Sequence, residues 1–393
     1  MITITEKMLQ RSMSKDRPGQ TPFYIFDKAQ FQRNYTALKQ AFGREYPNTI
    51  IGYSFKTNST QMVLREAEEC GAWAEVVSPG EFLMALRNNL NHPGRVIYNG
   101  VIPDTSGKFL VAAAGGIVNI ENLTELVELE RYASFHNGSS IEVGLRINLS
   151  LKDGMEYSRF GFDPSGEDYA KAINLIANSR SIILAGIHCH IHGARDLDMW
   201  GRRAELMSEI GGNLGVKYID LGGNMYGPME ESLRKQFAVP IPTFDDYAKV
   251  VGGVMRSKFP GGNVRLVIEC GTPLVANTMA LVSSVTDVKH SRGRTIATAD
   301  TSIYDLGFIG NSRAVPYYVV PNEGGEREEV SSVYGYACTE GDVLIHSDAV
   351  RLKVGDKIIF QNVGAYTMSL ESNFIKQKTP VYSAADLWPP YFK

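Results

Sequence analysis

Up to about residue 275, short apolar runs alternate with helical patterns, and this alternation limits the possible folds more than any other feature of the chain. Eight candidate strands stand out: Ile50–Phe55, Trp73–Val77, Arg95–Tyr98, Gly116–Ile120, Ile141–Ile147, Ile182–Ile187, Tyr218–Leu221 and Arg265–Ile268. Continuous apolar strands separated by helices belong to a parallel sheet covered on both faces. Eight of them in about 230 residues fit a (β/α)8 barrel of the TIM type. A doubly wound open sheet is the competing arrangement. Helix starts punctuate the pattern. Asp27 is placed to cap a helix whose Phe31, Tyr35, Leu38 and Phe42 share one face. Ser78-Pro79-Gly80-Glu81 reads as a capping box with proline at the first helical position, and Asn122 to Glu125 as a second start.

Beyond residue 276 the pattern changes. Thr278–Val288, Thr295–Ala299, Val315–Val320, Ser331–Tyr336, Val343–His346 and Lys357–Phe360 are strand-like, with turn signals such as Asn322-Glu323-Gly324-Gly325 between them. The expected class is α/β: a barrel over residues 25–275, with residues 1–24 and 276–393 forming a second, mainly β domain. The 393 residues, with 44% hydrophobic and 21% charged, hold enough apolar matter for both. A net charge of −3 argues against a nucleic-acid or polybasic-membrane partner. Cys70, Cys189, Cys270 and Cys338 are too scattered for a disulfide framework or a paired-cysteine metal site. The first twenty residues have no apolar core of a signal peptide, so a cytoplasmic location is expected.

In a barrel the chemistry sits at the carboxyl ends of the strands, where the loops face one cavity. Those ends carry Lys56 after the first strand, Glu75 and Ser78 at the second, and Asn99 at the third. Arg146 ends the fifth, His188 and His190 the sixth, Gly222-Gly223-Asn224 the seventh and Glu269 the eighth. A lysine ending an apolar strand can snorkel to the surface, or it can serve as an amine of lowered pKa that forms a Schiff base. A glycine turn after a strand can present N–H groups to a phosphate. A buried acid can keep a pyridine nitrogen protonated, making the ring an electron sink.

His188-Cys189-His190-Ile191-His192 places three histidines at a period of two, on one face of a strand. Such a pair can hold a divalent metal. A metal-dependent hydrolase needs further ligands on later strands, and downstream only His290, His346 and the single acid Glu269 offer themselves. No metal is assigned, and an imidazole against a cofactor ring is the preferred reading.

Taken together, the motifs resemble the fold-type III pyridoxal-phosphate decarboxylases, the ornithine, diaminopimelate and arginine decarboxylase group. The resemblance runs from Thr21-Pro22-Phe23-Tyr24-Ile25-Phe26-Asp27 to Gly364-Ala365-Tyr366-Thr367. YSFKTN matches the Schiff-base segment, which implies that Lys56 carries the cofactor, pyridoxal 5'-phosphate. AEVVSPGEF (74–82) matches the segment after the second strand, with Glu75 where the family commonly has aspartate. SRFGF (158–162), GIHCHI (186–191), LGGN (221–224) and IECG (268–271) also match. They imply that His190 stacks on the ring, that Gly222 and Gly223 seat the phosphate, and that Glu269 pairs with the ring nitrogen. GYACTEGDVL (335–344) implies a catalytic Cys338 that acts across a homodimer interface, and GAYT (364–367) implies that Tyr366 reaches the phosphate. Arg146 joins the cofactor-binding set.

Departures from the family pattern carry information too. Thr272 stands where the family's E-P-G-R has its arginine, so Thr272 joins the phosphate set as a neutral hydroxyl. His190-Ile191-His192-Gly193-Ala194 lacks the usual serine. Thr339 follows Cys338 where the family has the acid that grips a distal ammonium, and Glu340 comes one position later on the other side of an extended backbone. With the basic residues Arg195, Arg202 and Arg203 nearby in sequence, this points to a substrate whose distal end carries a carboxylate, such as a citryl–amino acid of siderophore assembly. Thr339, Glu340 and Arg195 are the expected substrate contacts. An amino-acid racemase using Lys56 and a tyrosine, and a non-catalytic binding homologue, are the alternatives to a decarboxylase.

Overall fold

The computed structural model of the chain describes residues 2–4, 20–88, 94–136, 140–151, 158–371 and 373–387. A first strand, β1 (Phe23–Phe26), precedes eight parallel strands that close into a barrel. These are β2 (Thr49–Ser54), β3 (Trp73–Val76), β4 (Val96–Tyr98), β5 (Ile117–Ile120), β6 (Ile141–Arg146), β7 (Ile182–His188), β8 (Tyr218–Asp220) and β9 (Arg265–Cys270). Each pairs with the next, and β9 returns to β2 with Gly52 opposite Glu269 and Tyr53 opposite Cys270. Closure leaves no free edge, which separates this sheet from the doubly wound alternative. All eight anticipated segments are strands, their ends displaced by one or two residues.

The helices lie where the caps place them. Asp27 accepts a hydrogen bond from the Gln30 amide at 3.0 Å and starts the helix Lys28–Glu45, which buries Phe31, Tyr35, Leu38 and Phe42. Ser78 and Glu81 share the two bonds of the second start, Glu81 N to Ser78 Oγ at 3.2 Å and Val77 N to Glu81 Oε2 at 2.9 Å. Caps of this kind contribute about 1 kcal/mol each. Inside the barrel the Tyr218 ring crosses two strands beneath the cavity. A methyl at Gly186 would lie 2.1 Å from that ring, and one at Gly144 would lie 2.2 Å from its Oη. Only glycine leaves room there, and the hydroxyl donates to Asn119 Oδ1 at 2.9 Å.

The second domain is a sheet of β10 (Met279–Ser291), β11 (Arg294–Ala299), β12 (Tyr317–Val320), β13 (Glu328–Tyr334), β14 (Val343–Leu352) and β15 (Lys357–Gln361), ordered β12-β15-β10-β11-β13-β14. On its side, β1 pairs antiparallel with β10 and parallel with β16 (Val381–Ser383). The expected boundary at 24/25 therefore divides a strand that belongs wholly to this sheet. The helical turns Ile303–Leu306 and Gly307–Ser312 interrupt the otherwise β pattern. Three bonds pin the domain to the barrel beside Lys56. Asn58 Nδ2 donates to Gly364 O at 2.9 Å, the Tyr366 amide to Thr57 O at 2.8 Å, and Ser369 Oγ to Thr57 O at 3.2 Å. Among the described residues no helix is long and apolar enough to cross a membrane.

Candidate active site

At the end of β2 the chain tightens into a 3-10 turn, Phe55–Thr57, which brings Lys56 out over the barrel mouth. Its side chain keeps 32% of its surface exposed, and its Nζ lies 2.5 Å from Oε2 of the buried Glu75. Burial disfavours the ammonium, but the carboxylates of Glu75 and Glu269 outweigh that and hold Lys56 above its ordinary pKa. The amine is thus reachable from the cavity and already placed by an ion pair. Beside these two acids the amine is a cation, whereas a Schiff-base lysine reacts as the free base, so Lys56 would have to pass its proton on before bonding to an aldehyde.

Behind Lys56 runs a buried polar network. Asn99 Nδ2 donates to Glu75 Oε1 at 3.1 Å and to Glu269 Oε1 at 2.5 Å. Asn119 Nδ2 donates to Asn99 Oδ1 at 2.8 Å and reaches Asp220 Oδ2 at 3.3 Å. Two amides therefore bridge three acids from three strands, β3, β8 and β9. Burial raises the Asp220 carboxyl well above its usual range, and the neighbouring Glu269 raises it further. Burial opposes charge on Glu269 as well, but His188, Lys56 and a hydrogen bond from Asp220 prevail, so Glu269 stays below the usual carboxylate range. Asp220 is the protonated partner and Glu269 the anion. His188 Nε2 stands 3.5 Å from Glu269 Oε2. The reading of strand ends noted Glu75, Asn99, His188 and Glu269 but overlooked Asp220 and Asn119.

Across the cavity His190 is held in its neutral form, by burial first and then by the positive charge of Lys56. Its Nδ1 accepts from the Gly223 amide at 3.2 Å, which leaves the proton on Nε2. The glycine turn that supplies this bond is wedged between strand ends. A Cβ at Gly222 would meet Cys189 O at 2.4 Å, and one at Gly223 would meet Glu269 O at 2.2 Å. The Gly222 amide donates to Asp220 Oδ1 at 2.9 Å, tying the turn to the acid pair. Thr272 opens the short helix Thr272–Val275 next to it. His192 is exposed, so the three histidines do not converge on one point. His188, Asp220 and Glu269 bring ligand atoms within 4.8 Å of one another, but the proton and charge they share account for that proximity.

The remaining expected residues divide. Tyr366, at φ +56°, comes from the second domain to the turn that carries Lys56. Arg146 is turned to Glu121, with Nη1 2.8 Å from Oε2, and stacks 4.4 Å over Phe160; Glu121 also accepts from the Gly161 amide at 2.9 Å. Arg195 donates from Nε to Asn224 Oδ1 at 2.7 Å. Cys338, Thr339 and Glu340 are exposed on the turn between β13 and β14. Among the described residues no side-chain hydrogen bond or ion pair joins these three to the barrel. That turn is organised by the buried Asp342, which accepts from the Ala337 amide at 2.7 Å, Ser302 Oγ at 2.9 Å and the Ile303 amide at 2.7 Å. The other cysteines are withdrawn: burial pushes Cys189 and Cys70 up to about 12, and Cys270 higher still. Cys338 is the exposed thiol.

Pyridoxal phosphate requires an amine for its aldehyde, an anion at its ring nitrogen, a flat contact for its ring and donors for its phosphate. Lys56, the ionised Glu269, the neutral His190 ring and the glycine turn, gathered at the strand ends, are groups that could meet those needs. Comparison with known proteins agrees. The family described as "Pyridoxal-dependent decarboxylase, pyridoxal binding domain" matches residues 28–276. The probable chloroplastic diaminopimelate decarboxylase of Oryza sativa is 28% identical over 93% of this chain and 75% of its own length. Diaminopimelate decarboxylase of Bacteroides thetaiotaomicron is 26% identical over 94% of this chain and 96% of its own. The crystal structure of diaminopimelate decarboxylase from Methanocaldococcus jannaschii superposes with a TM-score of 0.80 at 23% identity, covering 95% of this chain and 94% of that one. Lysine decarboxylase from Selenomonas ruminantium has the same fold, with a TM-score of 0.76 at 18% identity over 99% and 98% of the two chains. With the family match spanning the whole barrel and the lysine, acid and glycine turn in place within it, the chain belongs to the pyridoxal-phosphate-dependent amino-acid decarboxylases, carboxy-lyases of the (β/α)8-barrel type.

Proposed function

We propose that this enzyme removes the α-carboxylate of an amino acid whose distal end itself carries a carboxylate, in a site completed by a second copy of the chain. The observation that supports the substrate class is Thr339. It is exposed and neutral where an acid would hold a distal ammonium; the segment is a bend and turn rather than the extended backbone expected, and Glu340 beside it is exposed as well. Lys376, with Nζ 5.3 Å from the Tyr336 ring, brings positive charge to the same turn. Diaminopimelate, the substrate in the names of several relatives, carries both an ammonium and a carboxylate at its distal end, whereas a citryl–amino acid conjugate carries carboxylates without an ammonium. Of the basic residues expected to help, Arg203 is wholly buried and Arg202 is exposed on the helix Leu197–Leu214, so neither supports the substrate reading.

Bound through Lys56, pyridoxal phosphate supplies the electron sink for the pair released when the carboxylate departs as carbon dioxide. Glu269, kept anionic, would hold the ring nitrogen in its protonated form, and His190 would offer its flat face to the ring. Glu75, itself held by Asn99, orients Lys56. The partner subunit's Cys338 would give the α-carbon the proton that replaces the carboxylate. Its exposure on the β13–β14 turn, clear of its own barrel, supports that placement. Carbon dioxide release measured with lysine, ornithine, meso-diaminopimelate and a citryl–amino acid conjugate tests the substrate class. Turnover of one of the two carboxylated substrates at least tenfold better than of lysine or ornithine is expected. Equal or better kcat/KM on lysine or ornithine overturns the reading.

A further inference from the structure

We infer that Arg195, anchored by Asn224, is this chain's cation for the cofactor phosphate, supported from beneath by the buried Arg203. The inference rests on pyridoxal phosphate as the cofactor and is independent of the substrate reading. A phosphate monoester carries a charge of about −1.5 to −2 at neutral pH and is held best by charge-assisted hydrogen bonds. Thr272, beside the glycine turn, brings no charge. The other cations of the site are engaged: Lys56 with Glu75, and Arg146 with Glu121.

Two guanidinium groups flank the turn without a carboxylate partner. Arg203 is 0% exposed, and its hydrogen bonds go to the backbone carbonyls of Leu221 at 2.9 Å, Gly223 at 3.0 Å and Ala194 at 3.1 Å. Its Nε has no partner at all among the described residues. Its guanidinium also stacks 4.3 Å over the Trp200 ring, but a buried cation held by carbonyls and a ring is costly unless an anion sits near it. Arg195 is half-buried, and among the described residues its Nη groups make no hydrogen bond and no acid pairs with it.

The position of Arg195 is set by the turn itself. Asn224 has φ +77°, in the left-handed region that asparagine adopts more readily than other non-glycine residues. Its side chain links two elements, donating from Nδ2 to Ile191 O at 2.9 Å and accepting from Arg195 Nε at 2.7 Å. Tyr247 Oη donates to Arg195 O at 2.5 Å and accepts from the Tyr226 amide at 3.2 Å. The Arg195 guanidinium lies 5.4 Å from the Tyr226 ring. One residue on, Gly227 meets the segment that starts at Thr272, since a Cβ there would lie 2.4 Å from Pro273 Cα. Arg195 therefore stands across the turn from Thr272, able to supply the charge that Thr272 lacks. This position redirects it from the distal end of the substrate, where the sequence alone placed it, to the phosphate.

The full-length enzyme, stripped of cofactor and titrated with pyridoxal phosphate and with pyridoxal, separates the phosphate contribution from the rest. R195M should weaken pyridoxal phosphate about ten- to a hundredfold while leaving pyridoxal within twofold. N224G keeps the turn conformation but releases the anchor, and should lie between R195M and wild type. Adding T272R to R195M should recover at least part of the lost affinity, which also guards against misreading a folding defect. Unchanged pyridoxal phosphate affinity in R195M, equal losses for both ligands, or no recovery in the double variant overturns the inference.

Discussion

Two carboxyl groups, Asp220 and Glu269, meet at the ends of β8 and β9 in a place where burial and mutual repulsion allow only one to be ionised. Lys56 and His188 lie on the side of Glu269, so the proton stays on Asp220, which passes the preference on as a hydrogen bond. Asn119 and the Gly222 amide accommodate the neutral acid. This has a consequence for stability. Asp220 holds a proton in the folded protein at pH values where the unfolded chain has released it. Its folded pKa is raised, so the stabilisation is fully present below the unfolded value of about 3.9 and declines as pH rises, by at most about 1.4 kcal/mol per pH unit. D220N keeps a donor for Glu269 and an acceptor for Gly222 but does not titrate. The difference in melting temperature, D220N minus wild type, should therefore grow more positive from pH 5 to pH 8. A difference that stays flat over that range contradicts the shared proton. Residues of this kind were the hardest to read in the sequence. Lys56 and Glu269 sit at the ends of apolar runs, where a charge stands out. Asp220 within YIDL and Asn119 within GIVNI sit inside such runs, and their partners come from strands a hundred residues away. The available signal was a short polar side chain in a strand too buried for it to reach water.

At the scale of elements, eight continuous apolar runs and a handful of caps sufficed for the barrel, because a strand covered on both faces tolerates few polar positions. Less legible were the segments whose conformation is set by contact. Phe55 reads as the last residue of the first strand but opens a turn that lets Lys56 meet Glu75. The segment of β1 reads as divided between the two domains at residue 25, but it pairs as a whole with β10, which follows it by some 250 residues. The β13–β14 turn shows how an element can be rigid and replaceable at once. Asp342 fixes its backbone from inside, while Thr339 points outward and bears no structural load. Substitution there should change recognition without disturbing the turn. T339E restores an acid after Cys338 and should raise kcat/KM for lysine or ornithine, relative to a carboxylate-ended substrate, by about tenfold, the worth of one charge-assisted pair near a surface. Steady-state kinetics on both substrate types read this ratio directly. A ratio unmoved by T339E removes Thr339 from substrate selection.

On the scale of the whole molecule, the second domain serves the barrel in two different ways. Through Asn58–Gly364 and Thr57–Tyr366 it clamps its own Lys56 turn. Through the β13–β14 turn it carries Cys338 outward, away from any described contact with its own barrel. On the proposed reading Lys56 and Cys338 serve one reacting carbon, and a two-fold pair of chains would bring them together, each lending its turn to the other's barrel. K56A and C338A should each be nearly inactive as homodimers, since each places its defect in both sites. When the two are mixed and allowed to exchange subunits, half the dimers contain one chain of each kind. In such a dimer one site collects both substitutions and the other collects neither. Activity should then return to about a quarter of the wild-type level, given random pairing of equal amounts. If Lys56 and Cys338 of the same chain worked together, every site in the mixture would keep one defect and no activity would return. The mixing experiment, followed by carbon dioxide release against time after subunit exchange, decides between the two arrangements without requiring knowledge of the natural substrate, because any turned-over amino acid serves as the readout.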